Sequence, residues 1–224
     1  MGRIRENVER ILNEIPDYVR LEIAAKTRSA EEIREAIDAG VHIIGENYIK
    51  DVKKVYPLLG KIAQWHFIGS PDMQKHDLLK NKYLEIFDMI ETVDSEKIAI
   101  EINEKCKKIG KTMDVLIEVN SGREVQKSGV MPEDTLELVK KLGSLENIRI
   151  KGLMTMGPRL GNPEDSRPFF KETKRIFDEI KKLNMPGVEM KYLSMGMSNS
   201  YKIAISEGAN IIRLGTVIFG PREL

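Results

Sequence analysis

The sequence predicts an α/β protein folded as a closed (β/α)8 barrel with an extra helix at its N-terminus. Eight short apolar segments alternate along the chain with longer segments whose apolar residues recur at helical spacing. Each strand and helix together take roughly 25 residues, which is the spacing of parallel β-α-β units. Eight such units close naturally into a barrel, and 224 residues lie within the size range of this fold. We therefore expect residues 1–224 to form one domain.

The alternative to a barrel is an open, doubly wound sheet with the same alternation of strands and helices. The dinucleotide-binding form of that sheet carries Gly-x-Gly-x-x-Gly directly after its first strand. The segment after Lys26 begins Thr-Arg-Ser-Ala-Glu-Glu and contains no such pattern. Its absence favours the barrel.

The first elements show how helix and strand are told apart. Apolar residues at helical spacing between Ile4 and Leu12 predict a leading helix over residues 3–15, and Pro16 ends it. The apolar segment 21–26 is too short for a helix and predicts the first strand.

The remaining elements follow from the same signals. Ser29 and Glu32 form a capping box that begins the next helix, and Gly40 ends it. Further strands are predicted at 41–45, 64–68, 87–93, 114–120, 150–156, 190–194 and 210–214. Helices are predicted at 47–59, 72–82, 95–109, 132–142, 165–183 and 198–206, with glycine-bearing loops at 121–129 and 157–164.

Composition excludes several classes of function. The net charge is +1, so no overall field favours nucleic acid or an anionic membrane. No apolar run approaches the ~18 residues of a membrane span, and the charged N-terminus lacks the apolar core of a secretory signal. We therefore expect a cytoplasmic protein. Cys106 is the single cysteine, and the three histidines stand in separate contexts, so we expect no disulfide and no metal site.

Lys26 is the most informative residue, because it ends a strand that is otherwise apolar. In a (β/α)8 barrel the chemistry lies at the C-terminal ends of the strands. A lysine there must reach water, find an anion or lose its proton. The structural alternative is that Lys26 only pairs with a carboxylate such as Glu46.

Two loops near the end of the chain have the chemistry of a phosphate site. Gly196, in the loop after the seventh strand, would let the backbone approach a ligand, and Ser198 would cap the following helix. After the eighth strand, Arg213, Gly215 and Thr216 offer a cation, a bare backbone N–H and a hydroxyl. Loops in these two positions form the recurrent phosphate site of such barrels.

The closed barrel brings these features together, because its first and eighth strands are neighbours. Lys26 then stands beside the two loops. An amine next to a phosphate site suggests that Lys26 forms an imine with a phosphorylated aldehyde or ketone.

The same stretches resemble the pyridoxal 5′-phosphate (PLP) homeostasis proteins, which are similar to the barrel domain of alanine racemase. The resemblance covers nearly the whole chain. It rests on seven ordered matches: Ala25-Lys26-Thr27, Gly45-Glu46-Asn47-Tyr48, Trp65-His66-Phe67-Ile68-Gly69, Lys127-Ser128-Gly129, Gly152-Leu153-Met154, Ser194-Met195-Gly196-Met197-Ser198, and Arg213-Leu214-Gly215-Thr216 with Phe219-Gly220.

The resemblance implies a role for each matched residue. Lys26 corresponds to the lysine that holds PLP covalently as a Schiff base, and Arg213 to the arginine that faces the pyridine nitrogen. An arginine there donates to an unprotonated ring nitrogen, which makes PLP a weaker electron sink. Ser194, Gly215 and Thr216 correspond to phosphate contacts, with Ser198 and the backbone of Gly196 and Met197 nearby. Asn47 corresponds to a residue near the ring, against which Met154 would pack.

Other matched residues have weaker cases. His66 either lines the pocket or is a buried histidine hydrogen-bonded within the barrel, and the two alternatives are about equal. Tyr48 is expected on an ordinary exposed helix face.

The implied function is to bind PLP and take part in its intracellular homeostasis and delivery, without catalytic turnover. Apo PLP-dependent enzymes are then the expected recipients. The alternative is an enzyme similar to an amino-acid racemase, which needs bases on both faces of PLP. The chain ends soon after its eighth strand, without the second, β-rich domain of alanine racemase, so we expect a carrier and a monomer. A lysine-dependent aldolase would need a further lysine or carboxylate that the strand ends do not clearly supply.

Overall fold

The computed structural model describes residues 2–124, 126–157 and 162–221, and its eight parallel strands close into a barrel in sequence order. The first and last strands pair with each other, which confirms the predicted closed barrel. The strands are β1 (Arg20–Ala24), β2 (Ile43–Glu46), β3 (Gln64–Phe67), β4 (Met89–Val93), β5 (Met113–Val119), β6 (Ile148–Thr155), β7 (Val188–Ser194) and β8 (Ile211–Leu214). Parts of two predicted loops, residues 125 and 158–161, lie outside the described residues.

Helices surround the barrel, and their bounds follow the predicted pattern closely. They are α1 (Arg3–Glu14), α2 (Ala30–Asp38), α3 (Ile49–Leu59), α4 (Pro71–Leu78), α5 (Asn81–Leu84), α6 (Glu96–Lys108), α7 (Thr135–Leu142), α8 (Arg167–Lys182), α9 (Tyr201–Ser206) and α10 (Thr216–Phe219). In the described part of the chain, no helix is long and apolar enough to cross a membrane.

Local signals explain where these helices begin and end. Ser29 accepts a hydrogen bond from the backbone of Glu32, whose side chain bonds back, so the predicted capping box at the start of α2 is present. The leading helix α1 buries Val8 and Ile11 and packs against α2 and α10.

Three helix predictions differ from the structure. The helix predicted at 72–82 is divided into α4 and α5, because the backbone of Lys80 is extended. The helix predicted from residue 198 begins only at Tyr201, and α10 was not predicted at all. Both late helices are short, at six and four residues, and so give little periodic signal.

The core lies between the strands and the surrounding helices. Outward-facing strand residues such as Ile23, Ile44 and Trp65 are fully buried there, as the alternation of side chains along a strand requires. Met89, Leu116 and Met154 form a separate, smaller apolar cluster. The barrel therefore has an apolar outer layer, while several inward positions are left for polar side chains.

Strand β6 contains a glycine that the barrel requires. Gly152 has φ of +148°, and a Cβ on it would lie 1.8 Å from the carbonyl oxygen of Tyr192 in β7. The register between β6 and β7 shifts just before this residue. Gly152 therefore lets β7 approach β6, which brings the C-terminal end of β7 to the mouth of the barrel.

Candidate functional site

A cleft of about 330 Å³ opens at the C-terminal ends of β1, β7 and β8. Its lining contains six of the ten predicted site residues: Lys26, Met197, Ser198, Arg213, Gly215 and Thr216, together with Ala24, Arg28 and Asn199. The structure therefore brings the predicted amine and both predicted phosphate loops to one site. The other four predicted residues lie outside this lining; they are Ser194, Gly196, Asn47 and Met154.

Lys26 lies two residues beyond the end of β1 and is partly exposed. Its Nζ donates a hydrogen bond of 3.1 Å to the hydroxyl of Tyr48 and lies 4.6 Å from the centre of that ring. The hydrogen bond from Lys26 lowers the pKa of Tyr48. The alternative pairing of Lys26 with Glu46 is not seen among the described contacts, and the expectation for Tyr48 changes. Lys26 contacts Tyr48 rather than Glu46, and Tyr48 belongs to the site rather than to an ordinary helix face.

The backbone next to Lys26 is strained. Thr27 has φ of +67°, which is a rare conformation for a β-branched residue. The turn is held by two bonds: Arg28 N–H donates to the carbonyl of Ala25 at 2.9 Å, and Thr27 N–H donates to Asp51 Oδ2 at 3.3 Å. Asp51 is itself buried in the first turn of α3. The direction of Lys26 is therefore set by a specific turn and not by strand β1 alone.

The two loops after β7 and β8 offer backbone N–H groups to the cleft. Among the described residues, the amides of Ser198, Asn199 and Gly215 have no hydrogen-bond acceptor. The hydroxyl of Thr216 is exposed beside them. Residues with such N–H groups line one cleft, with Arg213 in its wall, and this arrangement fits an anion such as a phosphate.

The structure contradicts the predicted cap by Ser198 and gives a second reason for the glycine at position 196. Ser198 does not cap α9, because that helix begins later, and the Ser198 hydroxyl instead accepts a hydrogen bond from Val217 N–H at 3.3 Å. Gly196 was predicted to let a ligand approach. Its φ is +93°, and a Cβ there would lie 2.6 Å from the Cβ of Ala204 and 2.8 Å from the Cα of Tyr201. Packing against α9 therefore requires a glycine here, and its approach to a ligand stays a prediction.

Ser194 also has a different position from the expected phosphate contact. Its side chain is fully buried, and its hydroxyl donates to Glu91 Oε2 at 2.6 Å while accepting from Arg213 Nη1 at 2.5 Å. Both hydrogen bonds lie inside the barrel, because Ser194 is an inward residue of β7 and not part of the loop beyond it. Contact of Ser194 with a phosphate stays a prediction.

Asn47 and Met154 were expected to contact the ring of the cofactor. The side chain of Asn47 donates a hydrogen bond of 3.2 Å to the carbonyl of Ile68. Met154 is buried and packs against Met89 and Leu116. Their contact with the ring stays a prediction.

A row of buried polar side chains crosses the barrel behind the cleft. Its members are Glu22 in β1, His66 in β3, Glu91 in β4, Ser194 in β7 and Arg213 in β8, and we call them the interior row. His66 Nδ1 lies 2.7 Å from Glu91 Oε1 and 3.8 Å from Glu22 Oε2. Of the two alternatives for His66, the structure shows a histidine hydrogen-bonded within the barrel.

Opposite charges meet along the interior row. Burial and the charge of Glu91 raise the pKa of Glu22. Burial also opposes ionisation of Glu91, but the hydrogen bond and charge of His66 together with the charge of Arg213 outweigh it, and the pKa of Glu91 is lowered. Burial acts to lower the pKa of His66, yet the two carboxylates outweigh it and raise that pKa. The row thus pairs an imidazolium and the guanidinium of Arg213 with buried carboxylates.

Glu22 and Glu91 were not among the predicted site residues, although both carry a signal. Each is a single acidic residue between apolar neighbours in a strand, in Leu21-Glu22-Ile23 and Ile90-Glu91-Thr92. Ligand-type atoms of Glu22, His66 and Glu91 lie within 4.8 Å of one another, so this group could hold a metal ion. A shared proton accounts equally for the short contact between His66 and Glu91, and the absence of a metal stays a prediction.

Comparisons with known proteins agree with this geometry. The family model described as the alanine racemase N-terminal domain matches residues 1–223. The pyridoxal phosphate homeostasis protein of Aquifex aeolicus is 40% identical over 201 residues, covering 89% of this chain and 86% of the relative. That of Vibrio alginolyticus is 34% identical over 240 residues, covering 100% of this chain and 99% of the relative.

Solved structures show the same fold. PipY of Synechococcus elongatus, solved with PLP bound, has a TM-score of 0.86 at 27% identity, covering 97% of this chain and 100% of PipY. The alanine racemase of Clostridium difficile has a TM-score of 0.77 at 17% identity, covering 99% of this chain but 56% of the racemase. This chain therefore belongs to the family described as the alanine racemase N-terminal domain and, within it, to the pyridoxal phosphate homeostasis proteins.

Proposed function

We propose that residues 1–224 act as one PLP-binding domain that holds the cofactor as a Schiff base on Lys26 and takes part in PLP homeostasis and delivery without turnover. One observation carries this proposal. Lys26, Arg213, Ser198 and Gly215 line the same cleft, and within the described residues the N–H groups of Ser198 and Gly215 have no acceptor. A phosphorylated aldehyde with a ring nitrogen matches each of these groups.

Different residues bind the aldehyde and the phosphate of PLP. PLP supplies an aldehyde carbon, to which the nitrogen of Lys26 bonds while the aldehyde oxygen leaves as water. The amides of Ser198, Asn199 and Gly215 and the hydroxyl of Thr216 bind the phosphate. Each charged hydrogen bond of this kind contributes about 1.5–3 kcal/mol, so Thr216→Ala should weaken PLP retention by about that amount.

Arg213 acts on the ring nitrogen of PLP, and Tyr48 acts on the amine of Lys26. Arg213 donates to the ring nitrogen, and because a guanidinium keeps its proton, that nitrogen stays unprotonated. Tyr48 accepts a hydrogen bond from Lys26 Nζ at 3.1 Å and so orients the free amine before PLP arrives.

Trapping the link to Lys26 tests covalent binding. The purified chain is incubated with PLP, reduced with borohydride and digested, and the modified peptide is identified by mass. We expect the mass of PLP on Lys26, its loss in Lys26→Ala and its retention in Lys50→Ala. Lys50 is a matched control, because its Nζ lies 5.1 Å from the same Tyr48 ring but on an exposed position. Modification that persists in Lys26→Ala contradicts the assignment.

Delivery is tested by transfer. The loaded chain is mixed with an apo PLP-dependent enzyme in the presence of a scavenger that consumes free PLP. Recovery of enzyme activity despite the scavenger supports direct delivery, whereas recovery only without it indicates simple release. Light scattering in the same buffer checks the expected monomer.

A racemase-like enzyme is the second candidate, and Tyr48 is the observation that favours it. A phenol hydrogen-bonded to the attachment lysine, with a lowered pKa, could move a proton at the substrate α-carbon. The assay is exchange of the α-proton of alanine in deuterated water. We expect no exchange above that of free PLP. Exchange that depends on Tyr48 would establish the enzyme instead.

A further inference from the structure

The interior row connects Arg213 to buried groups that never reach the cleft. Arg213 is buried except for its edge in the cleft wall, and its Nη1 and Nη2 donate to Ser194 Oγ at 2.5 Å and to the carbonyl of Thr155 at 2.9 Å. Ser194 in turn bonds to Glu91, which bonds to His66. Glu91 and His66 are fully buried and have no place in the binding roles above.

Donor and acceptor counts fix the direction of the bonds between Arg213, Ser194 and Glu91. A guanidinium can only donate, so the oxygen of Ser194 must accept from Arg213. The one proton of the Ser194 hydroxyl then goes to Glu91 Oε2, which must act as an acceptor. The other oxygen, Oε1, lies 2.7 Å from His66 Nδ1, and because the pKa of His66 is raised while that of Glu91 is lowered, the ring N–H donates to it. Glu91 therefore satisfies two donors at once, one with each oxygen.

Glutamine, which has the same shape but no charge, cannot accept from two donors with two separate oxygens. Glutamine has a single carbonyl oxygen, and the charged N–H of His66 is the stronger competitor for it. The amide NH₂ at position 91 would then face Ser194 and donate to it. The hydroxyl proton of Ser194 would then lose its acceptor, and its oxygen would be shared between that amide and Arg213. The bond that holds Arg213 would weaken, and the guanidinium would lose its fixed orientation.

We infer that Glu91 is a positioning residue which, through Ser194, holds the Arg213 guanidinium in the orientation that selects a ring nitrogen with a free lone pair. The inference rests on the proposed function, because it concerns how the same site chooses its ligand. The site would then bind phosphorylated pyridine aldehydes whose ring nitrogen accepts a hydrogen bond. A ring nitrogen that carries a methyl group should be rejected.

The test compares binding of PLP with binding of N-methyl-pyridoxal 5′-phosphate, which has the same aldehyde and phosphate but no nitrogen lone pair. The wild-type chain should prefer PLP by at least about tenfold, the scale of one hydrogen bond. Ser194→Ala and Glu91→Gln should each reduce this preference to within about twofold of unity. The double variant should lose no more than either single variant, because Glu91 acts only through Ser194.

Glu118→Gln is the matched control. Glu118 is also a buried carboxylate of the barrel, and its pKa is raised to about 7 by burial and by Asp94, but it has no bond to Ser194 among the described contacts. Its variant should keep the full preference for PLP. Equal loss in Glu118→Gln would show that general electrostatics, and not the hydrogen-bonded row, controls Arg213. Additive losses in the double variant would also overturn the inference.

A second readout needs no cofactor. In the ligand-free chain with ¹⁵N-labelled arginine, the side-chain resonances of Arg213 should show a rigid guanidinium that becomes mobile in Glu91→Gln. This also separates the two proposals. If PLP does not attach to Lys26, the proposed function fails while the mobility result still decides the role of Glu91. If Arg213 stays rigid in Glu91→Gln variants that remain folded by circular dichroism, the positioning role is wrong.

Discussion

Glu46 leads to a stability prediction with a definite sign. It is the last residue of β2, it is fully buried, and neither carboxyl oxygen has a hydrogen-bond partner in the described part of the chain. Burial, and then the charge of Asp51, raises the pKa of Glu46 to about 8 from an ordinary value of 4.5. The folded protein therefore keeps a proton at neutral pH that the unfolded chain has lost.

The size of the effect follows from linkage between protonation and folding. A raised carboxyl pKa contributes stability that is complete below pH 4.5 and is lost as the pH rises through about 8. One pKa unit corresponds to 1.36 kcal/mol, so the loss over this whole interval is at most about 5 kcal/mol. Glu46→Gln keeps the shape and stays neutral at every pH. It should match the wild type near pH 5 and be more stable by a few kcal/mol at pH 8.

The assay is urea unfolding at pH 5, 6, 7 and 8, followed by the fluorescence of Trp65, the single tryptophan, which is fully buried. Other buried groups titrate as well, so the informative quantity is the difference in unfolding free energy between variant and wild type. Glu137→Gln is the control, because its side chain is 72% exposed, and its difference should not change with pH. A Glu46→Gln difference that is the same at pH 5 and pH 8 would refute the reasoning.

Three further predictions concern the backbone and the amine. Thr27→Gly should raise the free energy of unfolding by up to about 1 kcal/mol. Glycine relieves the strain at a φ of +67°, but part of that gain is lost because glycine has more conformational entropy in the unfolded chain. A lower thermal midpoint would contradict this prediction. Gly152→Ala should cost more than about 3 kcal/mol, since its Cβ would meet the Tyr192 carbonyl, and a midpoint within a few degrees of wild type would contradict this. Tyr48→Phe should slow the attachment of PLP to Lys26, which is measured by stopped-flow absorbance. The final binding free energy should change by no more than about 1 kcal/mol. An unchanged rate would show that Tyr48 has no role in the site.

The sequence was sufficient to predict the barrel and the site residues that lie just beyond the strand ends. Strand and helix periods, with the rule that chemistry lies at the C-terminal strand ends, are enough to place Lys26, Gly215 and Thr216 in one predicted site. These residues follow strands directly, so an error of one or two residues in a strand boundary does not move them to another face of the barrel.

The inner part of the site was not predictable in the same way. Whether Glu22, Glu91 or Ser194 points inward depends on the phase of each strand, and a shift of one residue reverses it. The partner of Lys26 was missed for another reason: Tyr48 reaches it through the turn at Thr27, whose conformation a β-branched residue rarely adopts.

The joint between β7 and β8 has a consequence for the lifetime of the protein. These strands share one register pair, Ser194 opposite Ile211, whereas β8 and β1 share four. The proposed phosphate contacts come from the loops on both sides of that joint. A bound phosphate would then link the two sides of a joint that has a single register pair. We expect the empty protein to open there first and to be degraded sooner, so that its abundance would follow the supply of its ligand.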